Sequence, residues 1–180
     1  MTCDINVELL KEKIRNIPNF PYNGINFKDI TPLLSSRNYL YILTEMLLEK
    51  YRNKGITKVI GIESRGFFMA SILAYGLNAG FVPIRKSGKL PFECFERKYK
   101  KEYGEDVIQI HSDSLTADDI VLIHDDLLAT GGTILAAYEL VKSMGVKHIY
   151  VNFLVELTHL SGRCKLPENL DVSSIFKLDS

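Results

Sequence analysis

Ile120-Val121-Leu122-Ile123-His124-Asp125-Asp126-Leu127-Leu128-Ala129-Thr130-Gly131-Gly132-Thr133 decides the fold. Its first five residues form an apolar, β-branched run that predicts a buried strand, Ile120 to His124. A helix is expected from Thr133 to Met144, followed by a second strand from His148 to Leu154. The same order occurs upstream: strand Lys58 to Ile62, helix Phe67 to Leu77, and a short strand Phe81 to Ile84. Two strand-helix-strand units with β-branched strands predict an α/β fold with a central parallel sheet flanked by helices. In such sheets ligands gather at the carboxyl ends of the strands, where loops lead into helices.

Upstream of these units, Val7, Leu10, Ile14 and Ile17 recur at helical spacing, as do Leu40, Leu43, Leu47 and Tyr51. Two amphipathic helices are therefore expected, joined by an ordered, Pro- and Gly-punctuated loop from Phe20 to Leu33. The charge run Glu93 to Asp106, which holds Arg97, Lys98, Lys100 and Lys101, is expected as a solvated mobile loop. With no linker or repeat, the 180 residues are expected to form one domain, with residues 1–35 as its N-terminal part.

Composition narrows the partners. The 22 basic and 22 acidic residues cancel, so no overall field favours nucleic acid or an anionic membrane. The 19 uncharged residues from Gly66 to Ile84 match a membrane span in length, but Gly76, Asn78, Gly80 and Pro83 break them into a buried helix, a turn and a strand. Cys3, Cys94 and Cys164 are odd in number and far apart, and no secretory leader opens the chain; both favour the cytoplasm. His111, His124, His148 and His159 have no metal-ligand spacing with the cysteines.

The loop after the Ile120 strand carries the chemistry. Gly131 and Gly132 let backbone N–H groups approach an anion, Thr130 and Thr133 add hydroxyl donors, and the following helix contributes its N-terminus. That combination suits a phosphate monoester. Asp125 and Asp126 would repel the phosphate, but at the strand end they can accept hydrogen bonds from vicinal hydroxyls and stabilise positive charge on a sugar ring. A phosphorylated sugar satisfies both halves. Nucleoside triphosphate motifs fit less well: Gly61 and Gly66 have P-loop spacing, yet Phe67-Phe68 stands where Lys and Ser or Thr are needed.

At these residues the sequence resembles the phosphoribosyltransferase family, whose signature is an apolar strand, two acids and a Thr-Gly-Gly-Thr-like loop. Further blocks resemble its adenine-using members: Phe20-Pro21, Gly24-Ile25, Phe27 and Asp29 to Leu33; Glu63 to Gly66; Ile84 to Lys86 with Gly88 to Pro91; Glu102 to Gly104; Val155 to Leu157 with Gly162-Arg163. Departures are Tyr22-Asn23 before Gly24, Lys28 in place of arginine, and His124 in place of an apolar residue.

The resemblance implies a type I phosphoribosyltransferase fold with an N-terminal base-binding hood, and an enzyme of purine salvage. Adenine and 5-phosphoribosyl 1-pyrophosphate would give AMP and pyrophosphate, with Mg²⁺ as cofactor, held mainly by the phosphoribosyl substrate. It further implies a cytoplasmic homodimer. Asp125, Asp126, Ala129, Thr130, Gly131, Gly132 and Thr133 would bind the phosphate and ribose, and Ser64, Arg65, Arg85 and Lys89 the pyrophosphate. Asn26, Phe27, Lys28 and Leu157 would bind adenine. Glu102, with Tyr103, would manage a purine ring proton from a mobile loop spanning residues 92–107, so the implied catalytic set is Glu102, Asp125, Asp126 and Arg65. Two alternatives stay open: another base such as hypoxanthine, guanine or xanthine, and a non-catalytic module that senses the phosphoribosyl compound.

Overall fold

β-Branched runs and glycine-bounded apolar stretches form the centre of the computed structural model, which describes residues 7–100 and 104–179. Contacts divide the chain into two units, one ending at Lys50 and the other spanning Tyr51–Asp179.

The first unit departs from its helical expectation. Helix α1 covers only Val7–Lys11, and Arg15–Pro18 is strand β1, paired antiparallel with β2, Asn26–Asp29. Ile17 precedes Pro18, whose ring excludes the helical conformation from the residue before it, and it pairs with Phe27 instead. The expected loop from Phe20 to Leu33 therefore contains β2 and the start of α2, Thr31–Ser35, which places Pro32 in its first turn. Helix α3, Arg37–Tyr51, follows.

The second unit holds the sheet. Strands β3 (Lys58–Ile62) and β4 (Gly80–Lys86) are joined through α4 (Gly66–Gly76). Strands β5 (Cys94–Lys100) and β6 (Glu105–His111) come next, then β7 (Ile120–Leu128), α5 (Gly132–Ser143), β8 (His148–Leu157) and β9 (Asp171–Leu178). The strand order is β5-β6-β4-β3-β7-β8-β9. The five strands from β4 to β9 in that order run parallel, while β6 runs antiparallel to both its neighbours, β4 and β5.

Three expectations change here. The charged stretch from Glu93 to Asp106, expected as a loop, is mostly two strands. Its charges find cross-strand and helix partners: Lys98 pairs with Glu105, Gln109 Nε2 donates to Glu96 Oε2 at 3.0 Å, and Arg97 pairs with Glu139 of α5. Charged side chains also suit β5 as an edge strand. Strand β7 continues past His124 because Leu127 and Leu128 pair with Val155 and Glu156, so the acidic pair lies on the strand itself. Strand β9 has no counterpart in the sequence reading; its Ser173-Ser174 centre dilutes the apolar pattern.

The uncharged stretch from Gly66 to Ile84 resolves into α4 and β4, as expected. Among the described residues no helix is long and apolar enough to cross a membrane. Ile60, Val82, Ile123, Ala137, Val151 and Phe153 belong to one buried cluster of sheet and α5 residues.

Candidate active site

The chain leaves β3 toward β4 on one side and leaves β7 toward β8 on the other, so connections diverge between the adjacent strands β3 and β7. A crevice forms at such a switch point, outside the carboxyl ends. The cradle residues, Asp125, Asp126 and Arg65 lie there, and Arg85 and Leu157 stand near the ends of the strands on either side, β4 and β8.

Asp125 of β7, residues 127–134 that lead from β7 into α5, and Phe153 of β8 line a cavity of about 90 Å³. Gly131 caps α5 with φ +79°, a backbone conformation that side chains disfavour, and as a glycine it has no side chain to satisfy the first-turn N–H groups. Those groups, the Thr130 and Thr133 hydroxyls and the helix dipole are donors of the kind that suit an anion.

The two acids do not share a setting. Successive side chains on a strand point to opposite faces. Asp125 is half-buried on the cavity wall, its Oδ1 accepting the Asp126 N–H at 2.9 Å. Asp126 is buried, with Arg65 Nε 3.0 Å from its Oδ2, a charge contact outside hydrogen-bond alignment. Burial raises the Asp125 carboxyl well above the ordinary carboxylate range, and the Asp126 charge pushes it the same way. Burial also raises Asp126, against the pull of Arg65.

Across the switch point, Ser64 and Arg65 lead into α4, so that helix also aims its N-terminus at the crevice. Arg85 lies at the end of β4, donating from Nη2 to Glu63 Oε1 at 3.3 Å and from Nη1 to the Lys89 carbonyl at 3.0 Å. Burial alone would raise Glu63, but the Lys86 N–H and the Arg85 guanidinium outweigh it and hold Glu63 ionised below its ordinary range. Glu63 thereby orients Arg85, one of the cations expected to meet pyrophosphate.

Leu157 ends β8, largely buried. Asn26, Phe27 and Lys28 lie on β2 in the first unit, where Phe27 meets Phe20 edge-to-face at 5.2 Å. Lys28 is buried, donating from Nζ to Asn16 Oδ1 at 2.7 Å, and burial lowers its pKa. Glu102 and Tyr103 lie outside the described residues.

Four features escaped sequence reasoning. Gly162 packs so closely that a Cβ there would lie 2.1 Å from the Ala129 carbonyl, and one on Gly131 would lie 2.3 Å from the Gly162 carbonyl. Arg163 forks onto Glu156 at 2.8 and 2.5 Å and also donates to the Val172 carbonyl at 2.7 Å, fixing the turn that carries Gly162. His124 is fully buried with Nδ1 2.9 Å from Asn152 Oδ1, continuing a polar chain through Ser173 to Tyr51. The Tyr99 hydroxyl meets Thr133. Gly162-Arg163 had a signal as a resemblance block without a role, and His124 as a departure from the family pattern.

A phosphate cradle, an acid on its wall and cations across the switch point define a site for a phosphorylated sugar with an anionic leaving group. The phosphoribosyl transferase domain model matches residues 30–177, and the chain belongs to that family. Within it, the chain is 54% identical over 171 residues to an adenine phosphoribosyltransferase of Bacteroides thetaiotaomicron, covering 95% of this chain and 97% of the relative. The solved adenine phosphoribosyltransferase of Rhodothermus marinus superposes with TM-score 0.91 at 48% identity, covering 96% and 98% of the two chains. The Giardia lamblia enzyme complexed with 9-deazaadenine superposes with TM-score 0.93 at 40% identity, covering 98% and 99%.

Proposed function

We propose that this chain transfers the 5-phosphoribosyl group from its pyrophosphate to N9 of adenine, giving AMP and pyrophosphate. The observation that carries the proposal is the cradle of residues 129–133 beside Asp125, set across the switch point from Arg65 and Arg85. Sequence identity with adenine phosphoribosyltransferases over nearly the whole chain supports adenine as the base.

The bond from the anomeric carbon to pyrophosphate oxygen breaks as the bond to N9 forms. Positive charge then develops on the sugar ring and negative charge on the leaving group. Asp125 accepts from ribose hydroxyls and stabilises the ring, while the cradle N–H groups and Thr130 and Thr133 fix the 5-phosphate. Ser64, Arg65, Arg85 and Lys89 receive the pyrophosphate. Asp126 is assigned to holding Arg65 in place.

Asn26, Phe27, Lys28 and Leu157 are assigned to adenine, and Glu102 with Tyr103 to its ring proton. Both units serve one reaction, as a single phosphoribosyltransferase domain. Mg²⁺ fits a site with a half-buried carboxylate oxygen beside a substrate rich in phosphate oxygens, where it would neutralise the leaving group.

A homodimer is supported by Phe68 and Tyr75, 54% and 91% exposed and two turns apart on one face of α4. Free Cys94 and Cys164 agree with a cytoplasmic location.

Nucleotide formation from the phosphoribosyl pyrophosphate, Mg²⁺ and a panel of free bases tests the assignment. Adenine consumed fastest is the expected result. Faster use of hypoxanthine would replace the base, and no nucleotide from any base would overturn the activity.

A further inference from the structure

Tyr99 lies on the edge strand β5, and its ring packs against the main buried cluster. Its hydroxyl oxygen is 3.2 Å from Thr133 Oγ1, the last hydroxyl of the cradle. Two residues earlier on the same strand, Arg97 Nη2 donates to Glu139 Oε2 of α5 at 2.5 Å. A packed ring and an ion pair thus hold the phenol oxygen against the first turn of the helix that carries Thr133. Each of the two oxygens carries a rotatable proton, so either member of the pair can donate to the other.

We infer that Tyr99 is a positioning residue for the substrate's 5-phosphate, acting through the hydroxyl of Thr133. The inference rests on the proposed seating of that phosphate in the cradle. Threonine has one hydroxyl proton, and a phosphate dianion offers only acceptors. When Thr133 donates to phosphate, its oxygen needs a donor of its own. Tyr99 supplies one by turning its O–H toward Thr133, with no movement of heavy atoms. The resulting row, Tyr99 O–H to Thr133 O–H to phosphate, polarises along its length and holds the Thr133 side chain in the donating rotamer. Before phosphate arrives, the same pair is satisfied with the proton direction reversed, so Thr133 is never left to select another rotamer.

Tyr99→Phe removes one oxygen and keeps the packed ring. The expected result is a rise of about 2- to 10-fold in KM for the phosphoribosyl pyrophosphate, the range of one hydrogen bond. KM for adenine, kcat and the melting temperature stay close to wild type. Thr133→Val raises the same KM at least as far, and combining the two substitutions adds nothing further, because Tyr99 acts only through Thr133.

If Thr133→Val weakens substrate binding and Tyr99→Phe does not, the role of Tyr99 is wrong while the cradle stands. If neither changes KM, the cradle assignment itself is wrong. Additive effects in the double variant, or a Tyr99→Phe protein with lower melting temperature and both KM values raised alike, would also overturn the inference.

Discussion

Replacing Gly162 by alanine probes the cradle without touching a residue expected to meet substrate. The new Cβ would lie 2.1 Å from the Ala129 carbonyl oxygen and 2.8 Å from the Gly131 nitrogen. Both neighbours are backbone, so relief requires the two segments to separate by more than about 1 Å to reach ordinary van der Waals contact. Gly162 is tethered by the Arg163–Glu156 fork, which makes the cradle the part that moves. A misplacement of about 1 Å in a positioning group costs on the order of 100-fold in rate. Overpacking costs about 1–3 kcal/mol in stability. Initial rates at varied phosphoribosyl pyrophosphate, together with a melting curve, read both effects. Gly162→Ala should keep a cooperative transition at lower temperature and lose about 100-fold in kcat/KM. A variant within twofold of wild type in kcat/KM would refute the close-contact reasoning.

Asp125→Asn should separate function from stability. Burial and the Asp126 charge raise the Asp125 pKa in the fold above its ordinary 3.8, so the stability linked to that shift is present below 3.8 and is lost as pH rises through the folded value, where the carboxylate is ionised at a cost. At pH 7 the asparagine variant should therefore melt higher than wild type while losing about 100-fold or more in turnover, and a lower melting temperature would count against the buried charge. His124 has the opposite sense: burial lowers it from 6.5 to about 4, so stability falls as pH drops from 6.5 toward 4 and the unfolded chain takes the proton first. Urea unfolding should show His124→Leu losing about 2 kcal/mol less than wild type between pH 7 and pH 5, and parallel curves would contradict this. Glu156→Gln breaks the fork to Arg163 and should cost about 2 kcal/mol by denaturant titration, with KM for the phosphoribosyl pyrophosphate raised through Gly162.

What the sequence reveals is what depends on neighbours along the chain. The strand-helix-strand units are legible because the apolar runs are bounded by glycine or by charged residues, and Thr130 to Thr133 is legible because a phosphate loop draws its donors from consecutive residues. The charged hairpin is hidden because Arg97 is matched by Glu139, forty-two positions away, and the charges look solvated without their partners. Ile17 fits a helical period as well as a strand, and the proline after it decides the matter. The split between Asp125 and Asp126 follows from β7 continuing to Leu128, which its pairing with β8 sets. Likewise His124 is a departure in the sequence and becomes explicable only beside Asn152, with Ser173 behind it.

A crystal structure with AMP bound tests most directly whether the cradle and Asp125 grip opposite ends of one phosphorylated ribose. The phosphate should accept hydrogen bonds from the N–H groups and hydroxyls of residues 130–133, with ribose hydroxyls within about 3 Å of Asp125. Phosphate bound at any other part of the crevice, or Asp125 turned away from the sugar, would contradict it.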